Sequence, residues 1–109
     1  MPYDEGLAQR IRDVLEDRSD IAEKRMFGGL AFLLGGHMCV GVVGEELMVR
    51  VGAEGYEAAV REPHARKMDF TGRPMKGFVY VACAGFESDA KLRRWVGRGI
   101  RFASSLPAK

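Results

Sequence analysis

EKRMFGGLAFLLGGHMCVGVVGEELMVRV, residues 23–51, decides the fold. Apolar runs of strand length alternate there with glycine punctuation. The runs predict strands at Glu23–Phe27, Leu30–Leu34, Met38–Val43 and Leu47–Val51, separated by Gly28-Gly29, Gly35-Gly36 and Gly44. Glycine enters the positive-φ conformations that tight hairpin turns demand. Connections this short join only antiparallel neighbours, so the stretch reads as a β-meander.

Upstream, Leu7, Ile11, Val14 and Leu15 fall on one helical face, and Asp4 and Glu5 suit the positive end of a helix dipole. A first helix is therefore expected at about residues 3–18, with Ser19-Asp20 as a polar turn. Downstream, Tyr56, Ala59 and Val60 give the inward face of a short helix at about 53–61, stopped by Glu62-Pro63. Two further strands are expected at Arg66–Phe70 and Gly77–Cys83, joined by a loop over Thr71-Gly72-Arg73-Pro74-Met75-Lys76. A last helix runs from Ser88, a good N-cap, to about Ser105. Its apolar stripe is Leu92, Trp95, Val96, Ala103 and Leu106, with Gly99 between them. The order α-β-β-β-β-α-β-β-α is that of an α+β fold, a meander-containing antiparallel sheet with helices clustered around it.

The 109 residues suffice for one domain, expected to span 1–109. A chain of this size buries roughly 65% of its unfolded surface, enough to fold without staples. No segment approaches the roughly 20 apolar residues of a membrane span. The acidic start, Met1 to Glu5, is not a secretory signal, so a cytoplasmic location without membrane contact is expected. Cys39 and Cys83 each lie within an apolar run and are expected as buried thiols rather than a disulfide. Net charge is only +2, but six basic and two acidic residues fall between Glu87 and Lys109. The positive excess is concentrated in the last helix.

Three stretches carry a family signature: Arg25-Met26-Phe27-Gly28-Gly29-Leu30-Ala31-Phe32, then Gly36-His37-Met38, then residues 68–81 with Gly72, Arg73, Pro74 and Gly77. Together, in this order and spacing, they resemble the N-terminal domain of the TfoX/Sxy family of bacterial competence regulators. The resemblance covers the chain from the first helix to Leu106. It implies a two-layer sandwich with an antiparallel sheet, similar in layout to secretion chaperones. It also implies a role in transcription of DNA-uptake genes alongside a cyclic-AMP-responsive activator. The full-length regulators carry a second, helical domain, so a stand-alone N-terminal unit is expected here. The family supplies no catalytic residues, and no cofactor is expected.

Among candidate sites, Lys91, Arg94, Arg98 and Arg101 fall within about 80° of one another on the last helix. Such a ridge can follow a phosphate backbone, or it can be a solvated face. Arg73 and Lys76 can hold a phosphate or a carboxylate, or merely flank a turn. Arg25 is equally open between a partner and a cross-strand acid. The glycine pairs lie between strands and do not open helices, which excludes a Walker loop or a dinucleotide fingerprint. His37 and Cys39 share a strand face, and with His64 and Cys83 they could complete a zinc site, but none has metal-ligand spacing and no metal is expected. Nor does Cys39 with His37 meet the needs of a nucleophile. The expectation is a non-enzymatic regulatory domain with a protein partner such as a transcription factor. Surplus apolar strand residues point to a homodimer. Direct nucleic-acid binding is the runner-up, and an uncharacterised enzyme the third reading.

Overall fold

A computed structural model describes residues 3–26, 28–70 and 73–107, with the backbone alone at 69–70 and 73–76. The chain forms α1 (Glu5–Val14), β1 (Ile21–Met26), β2 (Gly29–Leu34), β3 (His37–Val43), β4 (Glu46–Arg50), α2 (Gly52–Val60), β5 (Ala65–Phe70), β6 (Arg73–Val81) and α3 (Asp89–Ser104). A single 3-10 turn, Cys83–Gly85, precedes α3. This is the expected order. The six strands make one antiparallel sheet in the order β1-β2-β3-β4-β6-β5. β4 and β5 are parallel with β6 between them, and a parallel pair needs a crossover, which α2 supplies.

Local chemistry sets the ends of these elements. The Asp4 carboxylate accepts from Leu7 N at 3.1 Å and the Ser88 hydroxyl from Lys91 N at 3.2 Å, capping α1 and α3. At the β2–β3 turn, Gly35 and Gly36 both take positive φ, 59° and 85°, the pair of angles a two-residue hairpin uses to follow sheet twist. Gly29 differs from the expected turn role. It opens β2 opposite Met26, and an added Cβ would stand 2.0 Å from the Val42 carbonyl oxygen.

All three helices cover one sheet face. Phe32, Val40, Val49 and Val79 form a continuous cross-strand row on that face, and Leu30, Val42, Leu47 and Val81 form a second. Against them pack Leu7 and Ile11 from α1, Tyr56 and Ala59 from α2, and Leu92, Trp95, Val96 and Ala103 from α3. Full burial of each valine, leucine, isoleucine or phenylalanine among them contributes on the order of 1.5–3 kcal/mol. The opposite face carries its own cluster, in which Met48, Met68 and Tyr80 are buried and Met38, Val43 and Phe78 are half-buried. Met48 is buried there because Gly41 of β3, its cross-strand partner, leaves room for it: a Cβ at 41 would meet the Met48 methyl at 2.8 Å.

Two features depart from the sequence reading. Residues 73–76, expected in a loop, begin β6, with Phe70 paired to Arg73 and Asp69 to Pro74. Proline is tolerated because β4 reaches only Phe78–Val81, and the pair after the hairpin-flanking one makes no ladder bond, so the missing N–H falls on an open side. β6 also stops at Val81, which puts Cys83 on the exposed 3-10 turn rather than in a buried strand. Among the described residues no helix is long and apolar enough to cross a membrane.

Candidate functional site

The chain leaves β4 through Val51, whose N–H donates to Gly77 O at 2.8 Å, and turns into α2 at Gly52. Gly52 has φ +81°, and a Cβ there would meet the Phe102 ring at 2.4 Å. Only glycine satisfies both demands at once. Gly77, at φ +96°, lies against Gly52 from the other side. β6, the start of α2 and the end of α3 thus meet at two glycines and one phenylalanine.

Small residues on α2 leave a cleft of about 700 Å³ between that helix and α3. Ala53 and Ala58 line one wall, Arg98, Arg101 and Phe102 the other, and Glu54 adds one carboxylate. No side chain caps the first amides of α2. The size lies within the range of small-molecule sites.

The cationic ridge is divided by Glu62. Arg94 donates to the Glu62 carboxylate at 2.7 Å, and Arg98 forms an ion pair with its other oxygen. The Arg98 guanidinium also stacks over Trp95 at 4.8 Å, with Arg94 at 5.8 Å from the same ring. Lys91 and Arg101 have no ion pair among the described residues. Glu62 was legible in the sequence only as a helix stop, since the pairing depends on how α2 packs on α3.

The motif residues lie elsewhere. Arg25 is on edge strand β1 without an ion pair among the described residues; Gly28 has φ +73° in the β1–β2 turn; and Gly29 and Gly77 make the close approaches given above. Arg73, Pro74 and Lys76 lie on β6, where the backbone alone is described. Phe27 and Gly72 lie outside the described residues. The family model for the TfoX N-terminal domain matches residues 13–103. The chain belongs to that family. No curated protein matches the sequence.

In this TfoX N-terminal domain the histidines and cysteines are dispersed in role. Cys39 is fully buried, donates to Phe32 O at 3.2 Å, and burial pushes its thiol up to about 11. A nucleophilic thiol needs the opposite, an electropositive and accessible setting. His37 lies on the same side of β3 but its Nε2 sits 2.5 Å from Pro107 O, beside the end of α3. His64 takes φ 70° and its carbonyl accepts from Ala82 N at 2.8 Å, next to the turn that exposes Cys83. Among the described residues no three His, Cys, Asp or Glu side chains are grouped to hold a metal ion.

Proposed function

We propose that this TfoX N-terminal domain is a regulatory interaction module that works by protein–protein contact as a homodimer in the cytoplasm, in transcription control of the competence type and without chemistry of its own. Family membership supports a competence-related regulatory domain. The observation that carries the finer reading is the helix-free sheet face. There Leu33, Met38, Val43 and Phe78 are half-exposed around the buried Met48 and Tyr80. A contiguous apolar patch of this kind, on a face no helix covers, marks an association surface. At its edge Arg66 lies over Tyr80, 4.6 Å from the ring centroid, and pairs with Glu46, which gives the patch a polar rim.

The test is sedimentation velocity of the wild type and of Met38→Lys from ~1 to ~100 μM, a range that brackets micromolar dissociation constants. A wild-type dimer lost in the variant is the expected result. A monomer throughout would sink the dimer reading. Affinity capture followed by mass spectrometry is expected to return a transcription factor. Direct nucleic-acid binding ranks second because Glu62 already engages two of the four ridge cations.

A further inference from the structure

The α2–α3 cleft lies on the helical side of the sheet, away from the proposed contact face, and that reading gives it no task. Its two walls differ in chemistry. One is small and apolar, made by Ala53 and Ala58; the other combines the Phe102 ring with two cationic side chains, Arg98 and Arg101. Arg98 is held in place by the Glu62 carboxylate and by the Trp95 ring, so its orientation is fixed before anything binds. One of its terminal nitrogens, shielded from solvent, meets that carboxylate without forming a hydrogen bond of normal geometry. Arg101 is exposed and unpaired among the described residues. Phe102 is immobilised between Gly52 and the Arg50 guanidinium, 5.1 Å from its ring centroid.

We propose that this cleft binds a small organic phosphate, the phosphate between Arg98 and Arg101 and the apolar body against Phe102, Ala53 and Ala58. A cavity of about 700 Å³ holds a ligand larger than an inorganic ion. Arginine's planar fork matches phosphate oxygens two at a time, and a fixed fork loses little freedom on binding. The open first turn of α2 adds to the same field, although the two arginines and the cavity carry the assignment. Glu54, which lines the cleft, and Glu62, already paired with Arg98, both oppose an anion and set an upper limit on affinity.

The test uses the whole chain, with amide correlation spectra recorded against phenyl phosphate, inorganic phosphate and benzoate. Phenyl phosphate is expected to shift the amides of Gly52–Gly55 saturably, with inorganic phosphate and benzoate each weaker. Arg101→Gln is expected to weaken phenyl phosphate by about tenfold, as loss of one charge-assisted contact would. Glu54→Gln is expected to strengthen it, and Lys91→Gln, on the same helix outside the cleft, to leave it unchanged. Four results would overturn the proposal. They are no shift at ~10 mM phenyl phosphate, benzoate binding as tightly, inorganic phosphate binding as tightly, or equal losses from Arg101→Gln and Lys91→Gln. The last would mean diffuse charge attraction rather than a site.

Discussion

Gly99 of α3 rests on the backbone of Cys39 in β3: a Cβ at position 99 would stand 2.3 Å from the Cys39 carbonyl oxygen and 2.8 Å from Val40 Cγ1. Two residues earlier on the same helix, an added Cβ at Gly97 meets nothing within 4 Å. The two glycines therefore predict opposite effects. Gly99→Ala should cost about 1–3 kcal/mol by lifting α3 off the sheet, outweighing its gain in helix propensity. Gly97→Ala should add up to about 1 kcal/mol from propensity alone. Urea unfolding of both variants reads the difference directly, and equal shifts would contradict the seating of α3.

Removing the shared carboxylate tests what the ridge can do. Glu62→Gln releases Arg94 and Arg98, and duplex DNA binding at low salt is expected to rise above a weak wild-type level. The slope of log affinity against log salt should steepen by about 0.9 for each phosphate newly contacted. The two pairs are partly exposed, so the stability loss should stay near 0–1 kcal/mol. Fluorescence anisotropy at two salt concentrations settles it. No binding by either protein would retire the nucleic-acid reading.

The cysteines should separate cleanly toward a thiol reagent. At neutral pH one thiol, the exposed Cys83, is expected to react at once, and Cys39 only on unfolding. The raised Cys39 value also fixes a sign. The folded chain holds that proton up to about 11 while the unfolded thiol ionises near ~8.5, so unfolding gains from ionisation above that pH. Stability should be insensitive to this group below pH ~8.5 and fall as pH rises toward 11. Cys39→Ala should flatten that alkaline decline.

An acid-side effect is expected at the other edge of the sheet. Arg12 of α1 donates to both oxygens of Glu23 on β1, at 2.8 and 2.9 Å, and those hydrogen bonds hold the Glu23 carboxyl below its usual range. The contribution is present above the unfolded carboxylate value and lost as pH falls through the lowered one. Glu23→Gln should remove about 0.2–1 kcal/mol at neutral pH, since the pair is partly exposed, and nothing once the carboxylate would be protonated. Thermal melts at neutral and acid pH provide the comparison.

Much of this fold is visible in the sequence because glycine and apolar spacing are local signals. The hairpin at Gly35-Gly36, the caps at Asp4 and Ser88, and the stripe from Leu92 to Ala103 each depend on neighbours within a few residues. The start of β6 does not. Gly72-Arg73-Pro74 has the composition of a loop, and Pro74 is acceptable in a strand only because β4 ends before reaching it. The cleft was equally hidden. It arises from the contact of Phe102 with Gly52, 50 positions apart in the chain, and from Glu62 meeting two arginines more than 30 residues away. Chemistry assembled from that far apart has no signature in spacing.

β3 holds one residue more than β2 beside it: Phe32 faces Val40 and Leu33 faces Met38, with Cys39 unmatched between them. The bulge absorbs that surplus residue: Cys39 and Val40 both belong to the helix-side core, and the alternation of the strand is kept on either side of them. Val40 and Val42 point to the helices, while Gly41 and Val43 lie on the far side. Deleting position 39 would close the bulge and leave every other pairing of β2 with β3 as it is. Deleting the paired Gly41 instead would turn Val42 to the outer surface and take away the glycine on which Met48 lies. The protein's outside is thus defined by a count, not by the composition of the strand.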